Sequence, residues 1–195
     1  MTKFTKAALL SMFFIAGATL VSCSDTDEKE DTTSIYARLG GTTMVSDPDN
    51  AGQMIEKGRL SYRKVVNSTV GLIVADIQAG ADGNLSAHFA PLLAEVGAGN
   101  TTNLAILTDN LTDFFSFNTG GTNPVNTYNG RDMVSAHNPA VNPRMGVKAT
   151  DADYTKFEGY VGAAAQANGV AANTQLYTDV VTVLESLRDP IVQAP

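Results

Sequence analysis

Apolar positions recur at helical spacing through most of the chain and alternate almost nowhere, which predicts helices and very little sheet. Val66, Val70, Ile73 and Ile77 are spaced 4, 3, 4 and form one stripe of a helix. Leu104, Leu107, Leu111 and Phe114 form a second, and Tyr154, Phe157, Val161 and Ala164 a third. Thr150 stands where it caps that third helix, with Asp153 in its first turn. Leu176, Val180, Val183 and Leu187 make a fourth stripe, with Pro190 as its expected end. Shorter helices are expected at Ile35 to Val45, Met54 to Tyr62, Leu85 to Glu95 and Gly130 to His137. Breakers separate them, among them Asp47-Pro48-Asp49-Asn50, Gly97-Ala98-Gly99, Gly120-Gly121-Thr122-Asn123-Pro124 and Asn138-Pro139. The expected fold class is therefore all-α, with four main helices and several short ones.

The first 22 residues follow a different rule. Lys3 and Lys6 precede an uncharged apolar run from Ala7 to Leu20, followed by Leu20-Val21-Ser22-Cys23. A positive segment, an apolar segment and a small-residue zone make a secretory signal, and the run is short for a permanent membrane span. Leu-Val-Ser-Cys resembles a bacterial lipobox, in which cleavage falls before a cysteine that carries lipid. That resemblance implies three regions: a signal peptide over 1–22, a lipidated and acidic flexible tether over 23–33, and a folded domain over 34–195. The tether expectation rests on composition, since 24–34 contains no apolar residue to repay its ordering. The location implied is export, with a lipid anchor at the cell envelope, on the periplasmic or surface face of the outer membrane.

Composition narrows the chemistry. A 195-residue chain with 44% hydrophobic residues suits one globular domain beyond its leader. The single cysteine rules out an internal disulfide, and thiolate clusters for zinc or iron–sulfur need several. A net charge of −7 repels phosphate backbones, so nucleic acid is not an expected partner. No Gly-x-Ser-x-Gly elbow, phosphate-cradling loop or His-Glu-x-x-His helix occurs. Two histidines remain, His88 and His137. His137 ends a short helical run, with Met133 one turn earlier on the same face and Asn138-Pro139 as the stop. A lone imidazole beside apolar helices suits haem, which needs one proximal ligand and otherwise apolar walls; by spacing alone, an ordinary core or surface histidine is the commoner role.

Several segments, in order, resemble one family. Ile35-Tyr36-Ala37-Arg38-Leu39-Gly40-Gly41 resembles the N-terminal signature of group I truncated haemoglobins, and Tyr128 through His137 resembles the segment carrying their proximal histidine. Asp151 to Phe157, Asn168-Gly169-Val170 and Leu187-Arg188-Asp189-Pro190 follow in the family's order. The resemblance implies a shortened globin, a two-over-two helical sandwich around haem, with a segment inserted after the first helix. It makes His137 the iron ligand and Met133 a proximal wall residue. It makes Phe89, Leu107, Leu111, Phe114, Phe115, Phe157 and Val161 pocket residues, each of which is equally at home as plain core. Cys23 belongs to the anchor.

Two departures qualify what the family implies. Residues 46–64 and 138–148 are longer than the family pattern. The polar distal positions that hold bound oxygen fall at Val74, Leu107 and Leu111, which donate nothing. Asn110 or Tyr62 are the alternative donors, and His88 an alternative sixth ligand, although its expected place is a partly exposed site beside Phe89. The function expected is a haem-binding lipoprotein that binds small diatomic ligands such as oxygen or nitric oxide, or serves redox or sensing at the envelope. The alternative is a haem-free, globin-like interaction lipoprotein. Enzyme chemistry such as nitric oxide dioxygenation or peroxidation is less favoured, because it wants a positioned donor or acid.

Overall fold

The computed structural model describes residues 33–195, so the expected signal peptide, Cys23 and all but the last residue of the expected tether lie outside the described residues. Ser34 caps the first helix, α1 (Ile35–Arg38), by accepting the Ala37 N–H at 3.2 Å. The helix ends there because Gly40 and Gly41 take φ of +113° and +55°, a region that other residues avoid. The expected helix through Val45 is therefore corrected: the Gly-Gly turn leads into β1 (Met44–Ser46), which pairs antiparallel with β2 (Met54–Glu56). Asp47 organises the turn between them, accepting from Asp49 N–H at 2.9 Å and from Asn50 Nδ2 at 3.0 Å. Arg63 reaches back from the next helix to Asp47 and Asp49.

That next helix, α2 (Lys57–Gln78), merges two expected pieces. The Met54 to Tyr62 run splits into strand and helix, and the helical part continues unbroken into the Val66–Ile77 stripe. At 22 residues it is about 33 Å long, and it packs against both α4 (Thr102–Asn118) and α6 (Asp151–Ala167). A 3-10 turn over Leu85–Ala87 and α3 (Ala90–Gly97) replace the single helix expected from Leu85 to Glu95, with Pro91 in the first turn of α3. The helix expected from Gly130 to His137 shortens to α5 (Met133–Ala136), capped by Asp132.

The cap of α6 is a complete capping box. Thr150 Oγ1 accepts the Asp153 N–H at 3.2 Å, and the Asp153 carboxylate accepts the Thr150 N–H at 2.8 Å. The fourth stripe forms α7 (Gln175–Glu185) as far as Val183, while Leu187 lies past its end as the N-cap of a short α8 (Arg188–Ile191). Pro190 therefore does not end the fourth helix. It sits in the first turn of α8, where its missing N–H costs no hydrogen bond. Arg188 binds Asp151, Glu158 and Glu185 together, tying α8 to α6 and α7.

The core has two clusters that share one residue. Ile73, Leu85 and Tyr160 are packed by Phe89, Ile77 and Phe157. Ala149, Tyr154 and Ile191 are packed by Met133, Leu187, Val192 and again Phe157. Among the described residues the fold is mostly helical, with one small hairpin. Among the described residues no helix is long and apolar enough to cross a membrane.

Candidate functional site

His137 is the C-cap of α5 and is half-buried. Its Nδ1 lies 2.9 Å from the Met133 carbonyl, one turn back on the same helix. A carbonyl oxygen only accepts, so Nδ1 carries the proton and Nε2 keeps its lone pair. No hydrogen bond to Nε2 is formed among the described residues. Burial lowers the His137 pKa from its ordinary value, the Met133 carbonyl partly opposing this and the nearby His88 adding to it. The imidazole is therefore neutral at neutral pH and fixed in one tautomer. A ring held through one nitrogen by a carbonyl, with the other exposed as a donor, is how proteins present histidine to a metal.

The other proposed wall residues occupy three places. Met133, at the first position of α5, packs on the Tyr154–Ile191 cluster. Phe89 is the N-cap of α3 and packs on the Ile73–Leu85–Tyr160 cluster, while Phe157 touches both clusters and Val161 is buried one turn further along α6. The structure thus brings Phe89 and Phe157 onto one cluster and Met133 and Phe157 onto the other. On α4, Leu107, Leu111, Phe114 and Phe115 are all half-buried, as is Val74 on α2. The two phenylalanines meet edge to face at 5.5 Å. Half-burial of this kind suits plain packing against neighbouring helices as well as the wall of a large apolar ligand.

His88 departs from expectation. It is only 6% exposed, not a partly exposed neighbour of Phe89. Its Nδ1 contacts the Val147 carbonyl at 3.2 Å and its Nε2 the Asp153 carboxylate at 3.2 Å. With Nδ1 turned to a carbonyl and Nε2 to a carboxylate, neither nitrogen of His88 is turned to an iron; it is a cross-link. It holds the 138–148 loop, which leaves His137, against the turn before α3, and the Gly146 N–H adds a bond to the His88 carbonyl at 2.8 Å. A Cβ at Gly146 would lie 2.0 Å from the Ala87 carbonyl oxygen, so glycine is required for that approach. Asn142 anchors the near end of the loop, its Nδ2 donating to the Ala136 carbonyl at 2.7 Å.

Tyr62 is not positioned as a distal donor either. It is buried, donates to Thr119 Oγ1 at 2.7 Å, and stacks on Tyr36 and Phe115. Beside it lies a buried polar network that the helical pattern did not reveal. Tyr36 OH donates to the Glu56 carboxylate, which also accepts from Asn126 Nδ2 at 2.9 Å and from Asn123 Nδ2 at 2.9 Å. Glu56 is 4% exposed and Asn126 fully buried. Burial pushes the Glu56 carboxyl up, but the three hydrogen bonds and the Arg59 charge outweigh it and hold the group below its ordinary value. Burial and the same carboxylate push the Tyr36 hydroxyl up to about 12. The sequence signal was slight: one glutamate directly after the apolar pair Met54-Ile55.

Two shallow surface clefts lie apart from His137. One runs along α6 over Ala152, Lys156 and Tyr160, and the other lies under the hairpin between Met44, Met54, Arg59 and Val125. Among the described residues no group of three or more His, Cys, Asp or Glu is placed to hold a metal. A haem iron asks for something different, one axial imidazole and an apolar wall. No protein-family model matches the chain, and no curated protein matches it by sequence.

Proposed function

We propose that the domain is a haem-binding, truncated-globin-like module with a two-over-two helical arrangement, in a chain exported and lipid-anchored through Cys23. The observation that carries this reading is the His137 imidazole, neutral, held by the Met133 carbonyl at 2.9 Å through Nδ1 and presenting Nε2. His137 holds the iron, Met133 packs on the proximal side, and Phe89, Phe157 and Val161 close the inner wall. Leu107, Leu111, Phe114 and Phe115 supply the wall from α4. Bound haem supplies a site for a diatomic ligand and a one-electron redox centre.

The chain's own residues set which ligand is held. Bound oxygen gains negative charge and needs a donor, whereas carbon monoxide and nitric oxide depend less on one. Val74, Leu107 and Leu111 donate nothing, and the Tyr62 hydroxyl is already bound to Thr119. Of the two alternative donors that leaves Asn110, half-buried on α4, so the reading takes in diatomic-ligand binding as well as a sensor or redox carrier. The exposed Met44, Met54 and Val125 around the hairpin cleft favour a second reading, a haem-free interaction protein that docks through that face.

Haemin titration of the full chain tests the first reading. Wild type develops a strong Soret band and His137→Ala loses the histidine-ligated band. Absence of a band in wild type sinks the haem assignment and leaves the interaction reading. Fractionation of cells tests the anchor: Cys23→Ser moves the protein from the membrane to the soluble fraction, and a variant that stays with the membrane contradicts the lipobox.

A further inference from the structure

Five aromatic rings run in one connected path between the α4 wall and the buried carboxylate network. Tyr128 meets Phe114 edge to face at 5.2 Å, Phe114 meets Phe115 at 5.5 Å, Phe115 stacks on Tyr62 at 5.9 Å, and Tyr62 stacks on Tyr36 at 6.4 Å. The end of the path differs chemically from its middle. Tyr62 hydrogen-bonds only to Thr119, whose own hydroxyl passes to the Phe115 carbonyl at 2.6 Å. No carboxylate is there to take a proton. Tyr36 donates to Glu56, an ionised carboxylate that is nearly inaccessible, and its oxygen also accepts from Asn126 Nδ2 at 3.1 Å.

A phenol that loses one electron becomes a very strong acid, so it is oxidised readily only where a base takes its proton at once. Among the rings of this path, Tyr36 alone has such a base. The geometry points to Tyr36 as a one-electron donor, with Glu56 as its proton acceptor and Tyr62 and Phe115 as the rings through which the electron reaches the pocket. This rests on the haem reading above, which places Phe114 and Phe115 at the pocket wall. The co-reactant is a hydroperoxide. One phenol O–H bond breaks and the peroxide O–O bond is reduced by two electrons, one from Tyr36 and one from the haem iron: Tyr36–OH, ferric haem, ROOH and one proton from solvent give the Tyr36 phenoxyl radical, the haem oxidised by one electron, ROH and water. The phenol proton passes first to Glu56, and its electron leaves along the rings. With Val74, Leu107 and Leu111 offering no acid to the peroxide, the step is a stoichiometric discharge of oxidising equivalents and not rapid turnover.

Tyr160 is the competitor within the molecule. Its hydroxyl donates to Asp76 at 2.5 Å, but Lys156 Nζ lies 2.8 Å from the same oxygen, and Tyr160 stands outside the ring path. The test is freeze-quench electron paramagnetic resonance of the haemin-loaded full chain after hydrogen peroxide. A tyrosyl signal is expected in wild type and in Tyr160→Phe. It is expected to be lost in Tyr36→Phe and also in Tyr62→Leu and Glu56→Gln, which leave Tyr36 in place but remove the neighbouring ring or the base. A signal that survives Tyr36→Phe, or disappears in Tyr160→Phe, overturns the assignment. Should wild type show no Soret band, the haem reading falls separately. The same variants are then oxidised with photogenerated ruthenium(III) tris-bipyridine, where a tyrosyl signal independent of Tyr36 again overturns it.

Discussion

At the scale of single residues, the structure is governed by polar groups that found partners inside. Glu56 is the clearest case. Its carboxyl sits below the ordinary value in the fold, so as pH falls the unfolded chain takes up a proton before the folded one. The stabilisation it gives is complete above the unfolded carboxyl's pKa and is lost as pH falls through the lower folded value. Urea midpoints of wild type and Glu56→Gln, measured from about pH 7 to about pH 3, should converge on acidification; a gap that stays constant contradicts the account. Gly146 is fixed by space. Alanine there puts a Cβ onto the Ala87 carbonyl oxygen, a backbone atom that cannot swing away. We expect Gly146→Ala to cost about 1–3 kcal/mol in chemical denaturation and to speed amide exchange at Gly146, whose N–H bonds His88. Unchanged exchange there shows the loop is held by something other than this contact.

At the scale of elements, local signals and tertiary ones divide cleanly. Three of the four apolar stripes fall within α2, α4 and α6, and the fourth falls within α7 up to Val183, with Leu187 beyond its end, because a 3.6-residue period needs only the chain to be read. The Thr150–Asp153 cap was equally legible, being a side chain bonding its own backbone three residues on. Thr150→Ala should cost about 1 kcal/mol and lower the thermal midpoint, while Thr150→Ser should recover most of it. The hairpin was not legible. Met44–Ser46 and Met54–Glu56 are three residues each, too short to show alternation, and their pairing depends on the Gly40-Gly41 turn and on Arg63 reaching from α2. Likewise the burial of His88 depends on Val147 and Asp153, 59 and 65 positions away in sequence, which no local pattern reveals. His137 itself was singled out from sequence, but the carbonyl that orients it is visible only once α5 is built.

At the scale of the whole molecule, the fold places a short, capped helix and its histidine beside the Ala149–Tyr154–Ile191 cluster, which Phe157 joins to the Ile73–Leu85–Tyr160 cluster, and wraps the loop after that histidine onto the α6 cap through His88. The central claim is that this arrangement presents His137 Nε2 to a haem iron. Replacing His137 with glycine removes the ligand and leaves room for a free imidazole in its place. The most direct measurement is therefore the absorption spectrum of haemin-loaded His137→Gly, with and without added imidazole. The account predicts a histidine-type Soret and visible spectrum in wild type, its loss in the variant, and its return when imidazole is added. A variant that shows the wild-type spectrum without imidazole would contradict it.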